Sequence, residues 1–195
     1  MTARLQRMIA RLERQKAELV RRIQEWPQDW LRYKPVPAEW SALEVLDHLR
    51  KTELAVLRSC EQNLKSSKHS VTPFEHAKAV VFLAIMQLPI RLKVPEPVSF
   101  VRPDHSTLLQ TVLDSWAAQR FHLNAFEGVL KPSDENVGLV FHPAVGWMDL
   151  HASLSFLSAH LRHHEYQLQR IKKACERRLD YGDGAPGQFE PKQSC

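Results

Sequence analysis

Leu109, Val112, Trp116, Gln119, Leu123, Phe126 and Leu130 follow one another at unbroken steps of three and four residues. Only an α-helix brings that spacing onto one face, so this stretch predicts a long amphipathic helix, closed by Lys131 and Pro132. The pattern recurs three more times. Leu150, Leu154, Leu157, Leu161, His164, Leu168, Ile171 and Cys175 form a second seam behind Asp149, a good N-cap residue. Leu5, Met8, Leu12, Leu19 and Trp26 form another, with Gln15 filling a missing step, until Pro27, Pro35 and Pro37 break it. Ser41, Ala42, Leu43 and Glu44 make a capping box, in which the Ser hydroxyl and the Glu carboxylate each accept the other residue's amide. The helix it opens runs through Val45, Leu49, Thr52 and Val56 to about Lys65, where serines follow.

Strand signals are confined to residues 98–102 and 137–141. Residues 66–105 link the second and third seams and carry a short apolar helix near 74–88, then an extended stretch around Pro95, Pro97 and Pro103. Four amphipathic helices with no sheet to pack on predict an all-α fold, a four-helix bundle over residues 1–179. A link that long can return along the bundle, so it predicts a crossover connection, with the second and third helices parallel. Residues 180–195, rich in Gly and Pro, predict a flexible C-terminal tail.

Composition removes several function classes. A chain of 195 residues suits one domain and hides about 70% of its unfolded surface without needing disulfides. Six glycines include no GxGxxG and no GxxxxGK[ST], so a Gly-rich phosphate loop is absent. Cys60, Cys175 and Cys195 are too few and scattered for a disulfide framework, which fits the reducing cytoplasm. The net charge is +5, and residues 1–25 hold seven basic and three acidic side chains. That mild excess reads as a solvated helix face, with no nucleic-acid partner expected. Charges interrupt the first helix too often for a signal peptide, and the apolar run at 79–90 falls short of the ~20 residues that span a bilayer.

Ten histidines are an excess for this length. His164 takes a seam position that asks for Leu, and His160 lies one turn earlier on the same face. That pair alone equally describes one buried and one surface His. His48 borders the apolar face of the second helix, where a lone His is more often a satisfied core residue. Taken together, three imidazoles leaning into one core need partners, at ~1–3 kcal/mol for each polar group left unsatisfied. One divalent cation would serve all three. His163 points about 100° away from His164. Gln167 either touches the site or faces solvent, and Glu44 is accounted for by its cap. His142 and His151 flank the loop ahead of the last helix; His69, His76, His105 and His122 join no constellation. Trp40, Trp116 and Trp147 suit either a pocket wall or plain core.

WSALEVLDHL (40–49) resembles the W-S-x-x-E-V-L-x-H-L segment of the DinB-like superfamily, which includes the YfiT-type metal-dependent hydrolases. FHPAVGWMDLHASLSFLSAHLRHHEYQLQRI (141–171) resembles that superfamily's second signature, an H-P-x-x-G loop leading into F-L-x-x-H-x-x-x-H-x-x-Q. The resemblance implies a four-helix bundle with a crossover, and a metal triad of one His from the first motif and two from the second. Carried across, these are His48, His160 and His164, while His142 belongs to the H-P loop. Zinc is the first metal implied and nickel the second.

Three neutral ligands leave a coordination position open, as catalytic sites do. A cation so held can acidify water for hydrolysis or deprotonate a thiol, the second as in relatives that use low-molecular-weight bacterial thiols. The resemblance thus implies a metal-dependent hydrolase or thiol S-transferase acting on a small-molecule substrate, with no catalytic side chain assigned and a homodimer left open. The alternative is a non-catalytic, metal-stabilised bundle serving as a binding or dimerisation module. A nucleic-acid binder using the first helix is the third class, and it predicts steeply salt-dependent binding.

Overall fold

Four helix starts in this chain are held by side chains that accept otherwise orphaned amides. The computed structural model describes residues 2–65, 69–90 and 96–181, with the side chains of 96–98, 120–129 and 181 outside that description. Among the described residues it is mainly α-helical: α1 (Ala3–Gln24), α2 (Gln28–Arg32), α3 (Ala42–Lys65), α4 (Pro73–Met86), α5 (Leu109–Val129) and α6 (Leu150–Tyr181). Thr2 caps α1 through the Leu5 amide, and the Glu135 carboxylate in turn holds the Thr2 amide and hydroxyl. The Ser41–Glu44 box opens α3, with the two amide bonds at 2.7 and 3.3 Å. Thr72 and Glu75 form a second box at α4, with Pro73 at the first helical position. Asp149 caps α6 by accepting the Ala152 amide at 2.7 Å.

The remaining regular structure is small. β1 (His69–Ser70) pairs antiparallel with β2 (Val137–Gly138), and β3 (Val140–His142) pairs antiparallel with β4 (Gly146–Met148). The β3–β4 hairpin sets Phe141 opposite Trp147 and His142 opposite Gly146. Gly146 has φ +97°, a conformation that L side chains rarely adopt, and a Cβ there would collide with the Glu75 carboxylate.

α1 packs on α6, α3 on both α5 and α6, and α4 on α6. Gln15 meets Ser158 and Arg22 meets Glu165, so α1 and α6 run in the same sense. Asp47 meets Asp104 and Glu53 meets Trp116, which sets α3 and α5 in the same sense. His48 lies beside His160 while Asn63 reaches the Leu139 carbonyl ahead of α6, so α3 and α6 are opposed. None of the described helices is long and apolar enough to cross a membrane.

The seams predicted for α3 and α6 are the buried ones; in α6 all eight positions from Leu150 to Cys175 are in the interior. In α5, Val112, Trp116 and Gln119 are buried, as is Leu130 just past its end, while the side chains of Leu123 and Phe126 lie outside the described residues. Two expectations are corrected. The seam of α1 is Leu5, Ile9, Leu12, Lys16, Leu19 and Ile23, not the line through Met8, Gln15 and Trp26. Lys16 enters the core because its ammonium meets Glu13 at 2.9 Å and Glu53 at 3.0 Å, a partnership that periodicity cannot foresee. Residues Glu96–Val101, within which the strand candidate 98–102 begins, form a 3-10 turn. Its backbone turns inward so that the Val101 carbonyl reaches α3. The 137–141 candidate is divided between β2 and β3. α6 extends to Tyr181, and of the expected flexible tail, residues 180–195, all from 182 onward lies outside the described residues.

Candidate metal centre

α3 contributes His48 and α6 contributes His160 and His164, one turn apart on its inward face. The fold brings these three rings together. His48 Nε2 lies 3.1 Å from His160 Nε2, and His164 Nε2 lies 3.0 Å from the same atom. All three side chains are buried, at 3, 8 and 6% exposure for His48, His160 and His164. Among the described residues no fourth His, Cys, Asp or Glu joins the group.

The outward nitrogens decide where the protons sit. His48 Nδ1 donates to the Val101 carbonyl at 2.8 Å, so a neutral ring turns a bare Nε2 lone pair inward. His164 Nδ1 donates to Gln167 Oε1 at 2.9 Å, with the same result. His160 can give a single Nε2 proton to one of these neighbours and not to both. Three inward acceptors therefore share at most one proton, a buried shortage that a divalent cation removes. The spacing also suits one: a tetrahedral ion with bonds of 2.0–2.1 Å holds its ligand nitrogens about 3.3 Å apart. The three-His group can hold a metal ion.

Burial keeps the rings neutral, which is the form a metal needs. It pushes His48 down to about 4, against the opposing pull of the Val101 carbonyl and the Asp47 charge. His160 and His164 are held well below the ordinary imidazole range by burial and by the neighbouring rings. Aromatic walls complete the enclosure. Trp40 packs on His48 with centroids 4.7 Å apart and stacks on His164 at 6.3 Å, while Phe156 stacks on His160 at 5.3 Å.

None of the other described histidines joins this group, although the His163 ring lies 5.3 Å from that of His164. His163 is buried but turns to the carbonyls of Met86 and Leu88 at the end of α4. His142 accepts the Ala144 amide at 3.2 Å and packs on Phe82 and Phe156. His76 bonds Asp149, His105 bonds Glu44, His151 lies 3.4 Å from Glu135, and His69 stacks on Trp147. The side chain of His122 lies outside the described residues. Of the tryptophans, only Trp40 walls the site; Trp116 donates its indole N–H to Glu53 at 2.7 Å in the core.

Two participants escape the sequence reading. The Val101 carbonyl is a backbone group and leaves no compositional trace. Asp47, beside His48, is buried and accepts the Asp104 amide at 2.8 Å, which ties the 3-10 segment to α3. Burial raises its carboxyl, but the Asp104 amide, Arg50 and Lys51 outweigh that and hold it below the usual carboxylate range. Arg50 and Lys51 stand three and four residues after it, a spacing that could have marked it as an ion-pair centre.

Searches among curated proteins and solved structures found no match for this chain. The family model of the DinB superfamily does match it, over residues 11–168. That span contains His48, His160 and His164, and on this match the chain belongs to the DinB superfamily.

Proposed function

We propose that this protein binds one divalent metal ion through His48, His160 and His164 and uses it as a metal-dependent enzyme on a small-molecule substrate. The observation that carries the reading is the set of inward Nε2 atoms at 3.0–3.1 Å, with the outer nitrogens of His48 and His164 already committed. The helix contacts and directions support the finer fold, a four-helix bundle of α1, α3, α5 and α6 with a crossover between α3 and α5. In it the site lies between two antiparallel helices.

When bound, the cation supplies Lewis-acid chemistry, lowering the pKa of water for hydrolysis or of a low-molecular-weight thiol for transfer. The protein's own part is to orient and exclude. Val101 and Gln167 fix two tautomers, so the ligand atoms are set before any metal arrives. Trp40 and Phe156 pack on the ring faces and shield them from bulk solvent. Imidazole-only ligation suits zinc first and nickel second. A structural zinc site takes four protein ligands, and the three found here support an open position and a catalytic role over a purely structural one.

The test is turnover of a panel of esters, amides and thiol-acceptor electrophiles by metal-loaded and metal-stripped protein. Turnover of one class that is lost on stripping and returns with zinc or nickel is expected. Full metal occupancy with no turnover across the panel would favour the non-catalytic bundle.

A further inference from the structure

Residues 101–105 lie as a strap along the first turns of α3, and four side chains of that helix meet it. His48 Nδ1 donates to the Val101 carbonyl at 2.8 Å, and Lys51 Nζ donates to the Arg102 carbonyl at 2.9 Å. The Asp47 carboxylate accepts the Asp104 amide at 2.8 Å, and the Glu44 carboxylate meets the His105 ring. Asp47 is the most deeply buried of the four, at 1% exposure. Successive helical residues point about 100° apart, so its carboxylate goes to the strap while the next ring joins the histidine cluster. The strap has little freedom between these contacts. Pro103 fixes its own φ and keeps Arg102 out of the helical region, and the Arg102 amide is bound to the Ser99 carbonyl at 2.9 Å. Val101 and Pro103 are both buried. Holding the Asp104 amide therefore also places the Val101 carbonyl, three residues back along the strap.

We propose that Asp47 is a positioning residue of the metal centre: by pinning the strap it keeps the Val101 carbonyl on His48, and so keeps Nε2 bare and turned towards His160. The proposal rests on the three-His reading above and extends it to a residue that carries no ligand atom. The chemistry is that of the tautomer. A carbonyl accepts only from a ring protonated at Nδ1, and a neutral ring with that proton has its lone pair on Nε2. Without the carbonyl nothing holds the proton on Nδ1, and the ring can carry it on Nε2, where it blocks a cation. Asp47 is itself oriented from outside the cluster, by Arg50 at 2.6 Å and Lys51 at 2.9 Å. Lys51 thus grips both the carboxylate and the strap. Support passes from these cations to Asp47, from Asp47 to the strap, and from the strap to His48.

Two measurements on the full chain test this. Long-range proton–nitrogen correlation NMR of the metal-free protein reads the tautomer of His48, and competition with a chromogenic chelator reads zinc affinity. The wild type is expected to carry the His48 proton on Nδ1. Asp47→Ala should lose that signature and bind zinc about 10–100-fold more weakly, with unchanged circular dichroism. Asp47→Asn keeps an acceptor for the Asp104 amide and should return both readings to within a few-fold of wild type. Should Asp47→Ala lose its helix signal, Asp104→Pro removes the same hydrogen bond from the other side and must give the same change of tautomer. A wild-type tautomer in the folded variant overturns the proposal. So does an Asp47→Asn protein that behaves like Asp47→Ala, because the charge and not the amide bond would then be what matters. Absence of zinc binding by the wild type would overturn the metal reading instead, and the tautomer of the metal-free protein still decides the role of Asp47.

Discussion

Gln167 holds no proposed ligand bond, yet it decides which nitrogen of His164 faces inward. Its Oε1 accepts from Nδ1, and losing that acceptor frees the ring to rotate or to change tautomer. Gln167→Ala is therefore expected to lower zinc affinity about 10–100-fold with unchanged helix content, measured by competition with a chromogenic chelator. Equal affinity in the variant would remove Gln167 from the site. At this scale the sequence was informative about side chains and silent about backbone. A His where the seam asks for Leu, and another one turn before it, marked His164 and His160. Nothing in the spacing marked the Val101 carbonyl, since any residue there presents the same oxygen. His163 was separable because the helical rotation alone turns it aside.

Elements were legible where a local rule suffices. The Ser41–Glu44 box and the Asp149 cap depend on residues three apart, and both form. Ser41→Ala should cost ~1 kcal/mol in urea unfolding, and no cost would mean that the box adds nothing to α3. Where a partner comes from elsewhere in the chain, the pattern misled: Lys16 reads as solvent-facing until Glu53 of α3 is placed beside it. Lys16→Met should destabilise by about 3 kcal/mol, because Glu53 is left charged and buried with fewer partners. The strands of two or three residues are too short for an alternating pattern to register, and the β3–β4 turn depends on the positive φ of Gly146. Glu75, which accepts from Thr72 and the Trp147 amide, is held down at about 2. A carboxylate so lowered stabilises the fold above its unfolded pKa near 4.5, and that help is lost as pH falls towards 2. Glu75→Gln should flatten the acid limb of the stability curve in that window.

For the whole molecule, the cluster of neutral imidazoles sets a second pH dependence in the metal-free protein. Between pH 6.5 and about 4, an unfolded His48 takes up a proton that the folded ring refuses, so acid favours unfolding. Stability is full above pH 6.5 and falls on the way to pH 4, by about 3 kcal/mol for His48 alone. His160 and His164 act in the same direction. Urea unfolding of stripped protein across that range checks it, and a flat profile would mean that the rings already have partners for their protons. The mainly helical character was legible because apolar seams repeat at helical steps, whereas the outer face of α4 was not, since an apolar run does not say which side is covered. The account rests on three rings sharing one cation, and elemental analysis of wild type, His160→Ala and His163→Ala purified side by side tests that most directly. One divalent ion per chain in the wild type and in His163→Ala, with little or none in a still-helical His160→Ala, is the predicted result. Equal metal content in the two variants would contradict it.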